Sequence, residues 1–359
     1  MAKYIGVMSG TSLDGIDIAL CEINESSCTL LHAHEYPYHP SLKSEVLEMI
    51  EKSTTLQTIG EIDIKLGDML ANAINAFLVQ YNVNRYEIRA IGLHGQTLWH
   101  SPETKHPFSM QLGSASVVAT KTKIDVVNDF RSKDIANGGQ GAPFAPAFHK
   151  FLFEKLSKNI AIINIGGMAN ITLLGKKYLG WDCGCGNVLL DYWIAKTEHQ
   201  SYDQDGKFAK SGKVIEKLLS AMLQDPYFAK KPPKSTGREY FNEQWLEKHL
   251  KALGSYDPKD VQATLTELTA QTIVNDINGV DEIILCGGGA KNMHLAQRIK
   301  ELSQKDVKTT NKYGVDSDFL EAMIFAWFAY KRVHKQPVEL KEVTGASKNS
   351  ILGTLTCSN

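Results

Sequence analysis

The chain has 359 residues, 43% of them hydrophobic and 22% charged, enough for two ordinary domains that each bury a core. Its 39 basic and 40 acidic side chains leave a formal net charge of −1, so no strong field is available to attract DNA or an anionic membrane. There is no long apolar run, the opening MAKYIGVMSGTSLDG lacks the features of a secretory signal, and the six cysteines are scattered. A cytoplasmic chain with reduced thiols is expected, with no nucleic-acid or membrane partner.

Strand-like and helical patterns alternate along the chain, which points to the α/β class. Tyr4 to Met8 is a short apolar run, and after a turn Ile16, Ile18 and Leu20 alternate with Asp17, Ala19 and Cys21 as a second strand. Helical spacing follows at Leu42, Val46, Leu47 and Ile50, then at Leu66, Leu70, Ile74, Phe77 and Leu78. Strands are expected at Ile88 to Leu93, near Ile124 to Val127, at Asn159 to Ile165, at Asn170 to Leu174 and at Glu282 to Leu285. Helical patterns fill about 187–198, 211–224, 243–253, 258–277 and 317–333. Residues 4–22 and 160–174 share one plan, strand, glycine turn, strand, which is either an internal duplication or two unrelated hairpins.

Four glycine turns carry the chemistry. The first, Gly10, Thr11, Ser12, Leu13, Asp14 and Gly15, running on into Ile16 and Asp17, offers amides, two hydroxyls and carboxylates to a polyphosphate. It has neither G-K-[ST] nor G-x-G-x-x-G, and it leads into a strand where those motifs lead into a helix. That favours the strand–turn–strand clamp of actin-like ATPases over P-loop and Rossmann folds, with a plain hairpin as the alternative. Gly166 and Gly167 form the second turn and Asp182-Cys-Gly-Cys-Gly-Asn187 the third. Gly287, Gly288 and Gly289 follow a strand and precede a helix, a place suited to an adenosine.

Phosphoryl transfer needs a group that activates the acceptor oxygen. Asp182 is the leading base, because Asn187 is the better cap for the following helix. Asp14 and Asp17 are candidates for a metal or its water, although Asp17 could equally be solvated. His94, Gln96 and Thr97 end a strand and could read sugar hydroxyls, or His94 is merely hydrogen-bonded. Asn128 and Arg131 lie in a strand-end segment suited to an acidic substituent, or in a solvated loop. Asp203-Gln-Asp-Gly206 is not a calcium loop, since Gly212 stands at its twelfth position. Lys231 to Tyr240 is a linker, a lid or a substrate loop, and Glu321 opens the last helix at its polar edge or towards a cleft.

Together these motifs, with Gly138-Gly-Gln-Gly-Ala-Pro143, Asn164-Ile-Gly-Gly-Met-Ala-Asn170 and Pro233-Lys-Ser-Thr-Gly-Arg-Glu-Tyr240, resemble the anhydro-N-acetylmuramic acid kinases from Gly6 to about Gly353. The resemblance implies a two-domain actin-like (ribonuclease H-like) fold with an interdomain cleft for ATP and substrate, commonly as a homodimer. Domain I is expected over residues 1–135, with the C-terminal tail packing back on it, and domain II over 136–359. The implied reaction uses ATP, Mg2+ and water to open the 1,6-anhydro bridge of anhydro-N-acetylmuramic acid and phosphorylate O6, in peptidoglycan recycling. The resemblance makes Asp182 the base, places Glu321 at the sugar and leaves Mg2+ mainly on phosphates and water, its protein ligands open. Cys185 stands where the family usually has Pro. The alternatives are another actin-like sugar kinase or a nucleotide-driven binding module.

Overall fold

The computed structural model describes residues 2–10, 13, 15–156, 158–175, 178–232, 234–251, 254 and 256–358. The chain divides into two compact units, Met1–Leu152 with Phe319–Asn359, and Phe153–Asp318. The first unit carries β1 (Ala2–Ser9), β2 (Gly15–Ile23), β3 (Cys28–Pro37), β4 (Ile88–Leu93), β5 (Gln96–Ser101), β6 (Phe108–Leu112) and β7 (Val126–Asn128). The second carries β8 (Ile160–Ile165), β9 (Met168–Leu174), β10 (Leu179–Cys185), β11 (Glu282–Cys286) and β12 (Asp306–Thr309). The last strand, β13 (Thr354–Thr356), belongs to the first unit again.

The main sheet of the first unit runs β13-β7-β4-β1-β2-β3 and that of the second β10-β9-β8-β11-β12. In both, three strands form an antiparallel meander, and the first of them pairs in parallel with a strand far along the chain: β1 with β4, β8 with β11. This repeated plan is the actin-like, ribonuclease H-like α/β fold. It also makes residues 4–22 and 160–174 equivalent pieces of two sheets.

Alternation places Ile16, Ile18 and Leu20 of β2 in a core with Ile5 and Val7 of β1, beneath the helices Pro40–Glu51 and Leu56–Gln80. The longer helix starts where Thr55 accepts the Thr58 amide at 3.1 Å. It buries Leu66, Leu70, Ile74 and Phe77, three or four residues apart; such side chains each contribute about 1.5–3 kcal/mol.

The other face of this sheet receives the helix Leu320–Val333 at unusually short range. A Cβ on Gly6 of β1 would lie 1.8 Å from the main-chain O of Ala322, and one on Gly92 of β4 would lie 1.9 Å from that of Phe325. Only glycine permits that approach. It also explains a difference from the expected division. The last helix, expected in the second domain with only the C-terminal tail packing back on the first, falls in the first unit, where it is seated on β1 and β4, and residues 136–152 fall there too.

In the second unit, Ile163, Ile165, Ile171, Ile283 and Leu285 pack against Ile273, Leu295 and Ile299 of the helices Pro258–Asp276 and Met293–Ser303. A neighbouring cluster joins Trp193, Met222, Tyr227, Phe241 and Leu268. Among the described residues, no helix is long and apolar enough to cross a membrane.

Candidate active site

The residues singled out from the sequence fall into two groups, one in each unit. The first unit holds Gly10, Leu13, Gly15, Ile16 and Asp17, together with His94, Gln96, Thr97, Asn128, Arg131 and Glu321. Thr11, Ser12 and Asp14 lie outside the described residues. The second unit holds Gly166, Gly167, Asp182 and Gly287 to Gly289.

Register places the first turn at the end of the β1–β2 pair, where Ser9 pairs with Ile16. Leu13 adopts a φ of 54°, rare for a branched side chain, and its amide donates to Gly10 O at 3.2 Å. Its side chain is wholly buried, so Leu13 pins the turn from below. Asp17 lies on β2 opposite Met8.

Ser9 links this turn to Gln96. Gln96 Oε1 accepts from Ser9 Oγ at 2.6 Å and from Tyr38 OH at 3.0 Å, and all three side chains are buried. Thr97 Oγ1 accepts from Gln111 Nε2 at 3.3 Å, across the β5–β6 ribbon. Gln111, His94 and Asn128 line one recess of about 200 Å³ with Asp129 and Ser132.

Both ring nitrogens of His94 are engaged. Nδ1 is 2.8 Å from Gly95 O, and Nε2 is 2.9 Å from Nη2 of Arg131. A guanidinium can only donate, so these partners assign the neutral tautomer with its proton on Nδ1. Burial, then Arg131, push His94 down to about 3. Arg131 also donates from Nη1 to Gly141 O at 2.7 Å and lies 4.8 Å from the centre of the Phe144 ring. Its buried Nε has no hydrogen-bond partner among the described residues. Desolvation lowers Arg131 to about 10 against the opposing effect of Glu321. The Glu321 carboxyl is raised by desolvation and lowered by Arg131, although solvent reaches its side chain. Arg131 is the charge that favours its ionised form.

In the second unit three glycine turns meet. Gly186 N donates to Gly167 O at 2.9 Å, Asn187 N to Gly166 O at 2.8 Å and Val188 N to Gly167 O at 3.1 Å. Gly287 has a φ of 77°, and a Cβ there would lie 2.3 Å from Asn164 Oδ1. A Cβ on Gly289 would lie 2.9 Å from Asn187 Oδ1. Asn187 is thus the hub between turns, and its side chain does not cap the helix Val188–Glu198 as expected. Gly288, Gly289 and Asn187 border a cavity of about 480 Å³ with Asp191, Tyr202 and Lys291, ample for a nucleoside.

Asp182 stands in β10 beside a bulge, where the pairing with β9 shifts between Asp182 and Gly184. Its main chain is fastened on both sides: its N–H donates to Lys234 O at 3.1 Å, and Tyr227 OH donates to its O at 2.8 Å. Its carboxylate accepts the Thr236 amide on Oδ2 at 3.0 Å; among the described residues nothing bonds Oδ1. Burial raises the carboxyl to about 6, opposed by the Thr236 amide and assisted by Glu239. A carboxyl so placed is ionised at neutral pH and basic enough to take a proton from water.

Thr236 and Tyr227 carry weight here that their sequence context did not assign them. The stretch Lys231 to Tyr240 stood out as restrained, but Thr236 is 54 residues from Asp182 and nothing local marks the bond. Asp134 is structural: it accepts Gly141 N at 2.8 Å and Thr344 Oγ1 at 2.9 Å.

A family model described as anhydro-N-acetylmuramic acid kinase matches residues 2–358. An anhydro-N-acetylmuramic acid kinase of Sulfurimonas denitrificans is 54% identical over 362 residues, covering 98% of each chain. One of Pasteurella multocida is 46% identical over 361 residues, covering 98% of this chain and 96% of that one.

Proposed function

The chain belongs to the anhydro-N-acetylmuramic acid kinase family, and from that premise we propose that it uses ATP and water to convert 1,6-anhydro-N-acetylmuramic acid into N-acetylmuramic acid 6-phosphate and ADP, a step of peptidoglycan recycling. The observation that carries the reading is Asp182, held by its main chain and by Oδ2, raised to about 6 and open at Oδ1.

Asp182 takes a proton from water as the water oxygen bonds to the anomeric carbon, and the bond from that carbon to O6 breaks. O6 then bonds to the γ-phosphorus of ATP, whose bond to the bridging oxygen breaks, and ADP leaves with that electron pair. The proton on Asp182 passes to solvent before the next turnover. The turn of Gly10 to Gly15 and that of Gly166–Gly167 serve the phosphates, and Gly287 to Gly289 serve the nucleoside. Arg131, oriented by His94, pairs with the lactyl carboxylate, while Gln96, Thr97, Asn128 and Glu321 serve the sugar.

Mg2+ belongs to the same proposal, carried mainly by phosphates and water. The described residues hold no group of three or more His, Cys, Asp or Glu side chains poised for a metal. Single carboxylates such as Asp17 suit an ion that keeps most of its waters. When bound, it supplies charge neutralisation for the phosphates. A cytoplasmic homodimer is part of this reading, and sedimentation of the purified protein tests the dimer.

The decisive test is turnover with ATP in oxygen-labelled water, read at early times. Label at the anomeric hydroxyl of a 6-phosphorylated product supports the coupled reaction. Equal turnover of ordinary N-acetylmuramic acid, or an unlabelled product, replaces it with a simple sugar kinase.

A further inference from the structure

We propose that Arg238 is the cation that holds the β- and γ-phosphates of the nucleotide over the Gly166–Gly167 turn; this rests on the reading of the chain as an ATP-dependent kinase. A Cβ on Gly167 would lie 3.5 Å from both Nε and Nη2 of Arg238, so an edge of the guanidinium faces backbone that carries no side chain. Gly167 O is turned away, accepting from Gly186 and Val188.

Three other long cations of this unit are paired with acids. Lys234 pairs with Asp276 at 2.9 Å, Lys291 with Asp318 at 2.6 Å and Arg298 with Glu267 at 2.7 Å. Among the described residues no acid bonds Arg238, whose influence reaches Asp191 through space. A guanidinium presents paired donors that match phosphate oxygens, which an ammonium cannot.

The loop bearing Arg238 is fastened on either side of it. Lys234 is buried with its ammonium 5.4 Å from the centre of the Tyr227 ring. Beyond Arg238, the amides of Tyr240 and Phe241 both donate to Gly237 O at 3.1 Å. Phe241 is fully buried, with its ring centre 5.5 Å from that of Tyr227 and 5.4 Å from that of Phe228.

A path leads from the nucleoside-sized cavity to this point. Asn187 borders the cavity beside Gly288 and Gly289, and its amide bonds Gly166 of the turn that Arg238 covers. Phosphates leaving the cavity along that path arrive beneath the guanidinium. Two residues earlier in the same loop, Thr236 holds Asp182, so phosphate capture and proton capture share one support.

The test is calorimetric titration of the full chain and of Arg238→Gln and Arg238→Lys with ATP, ADP, AMP and adenosine. Loss of a charge-assisted contact predicts about tenfold to a hundredfold weaker ATP binding in Arg238→Gln. ADP should weaken less, AMP and adenosine should be unchanged, and Arg238→Lys should recover part of the ATP affinity. Unchanged ATP affinity, or equal weakening of all four ligands, overturns the assignment. If the native chain turns over the anhydro sugar yet the ratio of ATP to AMP affinity survives Arg238→Gln, this inference alone fails. If the native chain binds no ATP, the functional reading fails with it.

Discussion

Arg131 donates to Nε2 of His94 at 2.9 Å, and in the proposed reaction this hydrogen bond is the part His94 plays. With Nδ1 turned to Gly95 O, the ring has nothing left to offer a sugar and serves to aim the guanidinium. His94→Phe should therefore raise KM for the sugar by about tenfold or more, the scale of a lost hydrogen bond to a charged group, with KM for ATP little changed. Steady-state rates with each substrate varied in turn will show it, and equal effects on both substrates would count against the role. Because His94 sits at about 3, no histidine step should appear in the pH profile between 5 and 8.

The step that should appear belongs to Asp182. A base must be ionised, so kcat/KM for the sugar should rise with pH and level off above about 6. Asp182→Asn should abolish turnover while leaving ATP affinity close to native. Retained turnover, or a profile flat through pH 6, would refute the base assignment.

The same shift has a consequence for stability. An Asp that titrates at 3.8 when unfolded and at about 6 when folded binds its proton more tightly in the fold. It therefore favours the fold below pH 3.8, and that contribution is lost as pH rises through 6. At neutral pH the ionised carboxylate is a burden, and Asp182→Asn should be more stable than the native chain by about 2–3 kcal/mol. Denaturant melts should show the gain at pH 7.5 and its disappearance near pH 4.

Gly6→Ala should destabilise the first unit by at least about 3 kcal/mol, because the new methyl group would meet a main-chain oxygen that cannot swing aside. Gly60→Ala is the control: nothing lies within 4 Å of the new Cβ, and it sits inside the helix Leu56–Gln80, where Ala is the better residue. Thermal unfolding of the two variants should move in opposite directions.

The α/β class, the central strands and the long helices were legible in the chain because burial there imposes a clean period. Ile88 to Leu93 is a strand over those very residues, and Leu66, Leu70, Ile74 and Phe77 lie on the buried face of one helix. β3 escaped notice because it is an edge strand whose side chains are mostly exposed, so its pattern is polar. The ribbon β5–β6 stands outside the main sheet, with Trp99 and Phe108 exposed, and has no alternation to betray it. At the candidate site, sequence could mark Asp182 and the glycines by type and spacing. It could not show that Asn187 would join turns instead of capping a helix, or that Thr236 would hold the carboxylate. Those are contacts between segments, fixed by folding and unrecorded in local composition.

The seating of the helix Leu320–Val333 on Gly6 and Gly92 bears on the order in which the units can complete their folding. The second unit is one continuous segment and is complete once residue 318 has left the ribosome. The first unit begins earlier but must wait, one face of its sheet uncovered, until the C-terminal helix emerges. During translation that open sheet exposes apolar surface of the kind that favours aggregation.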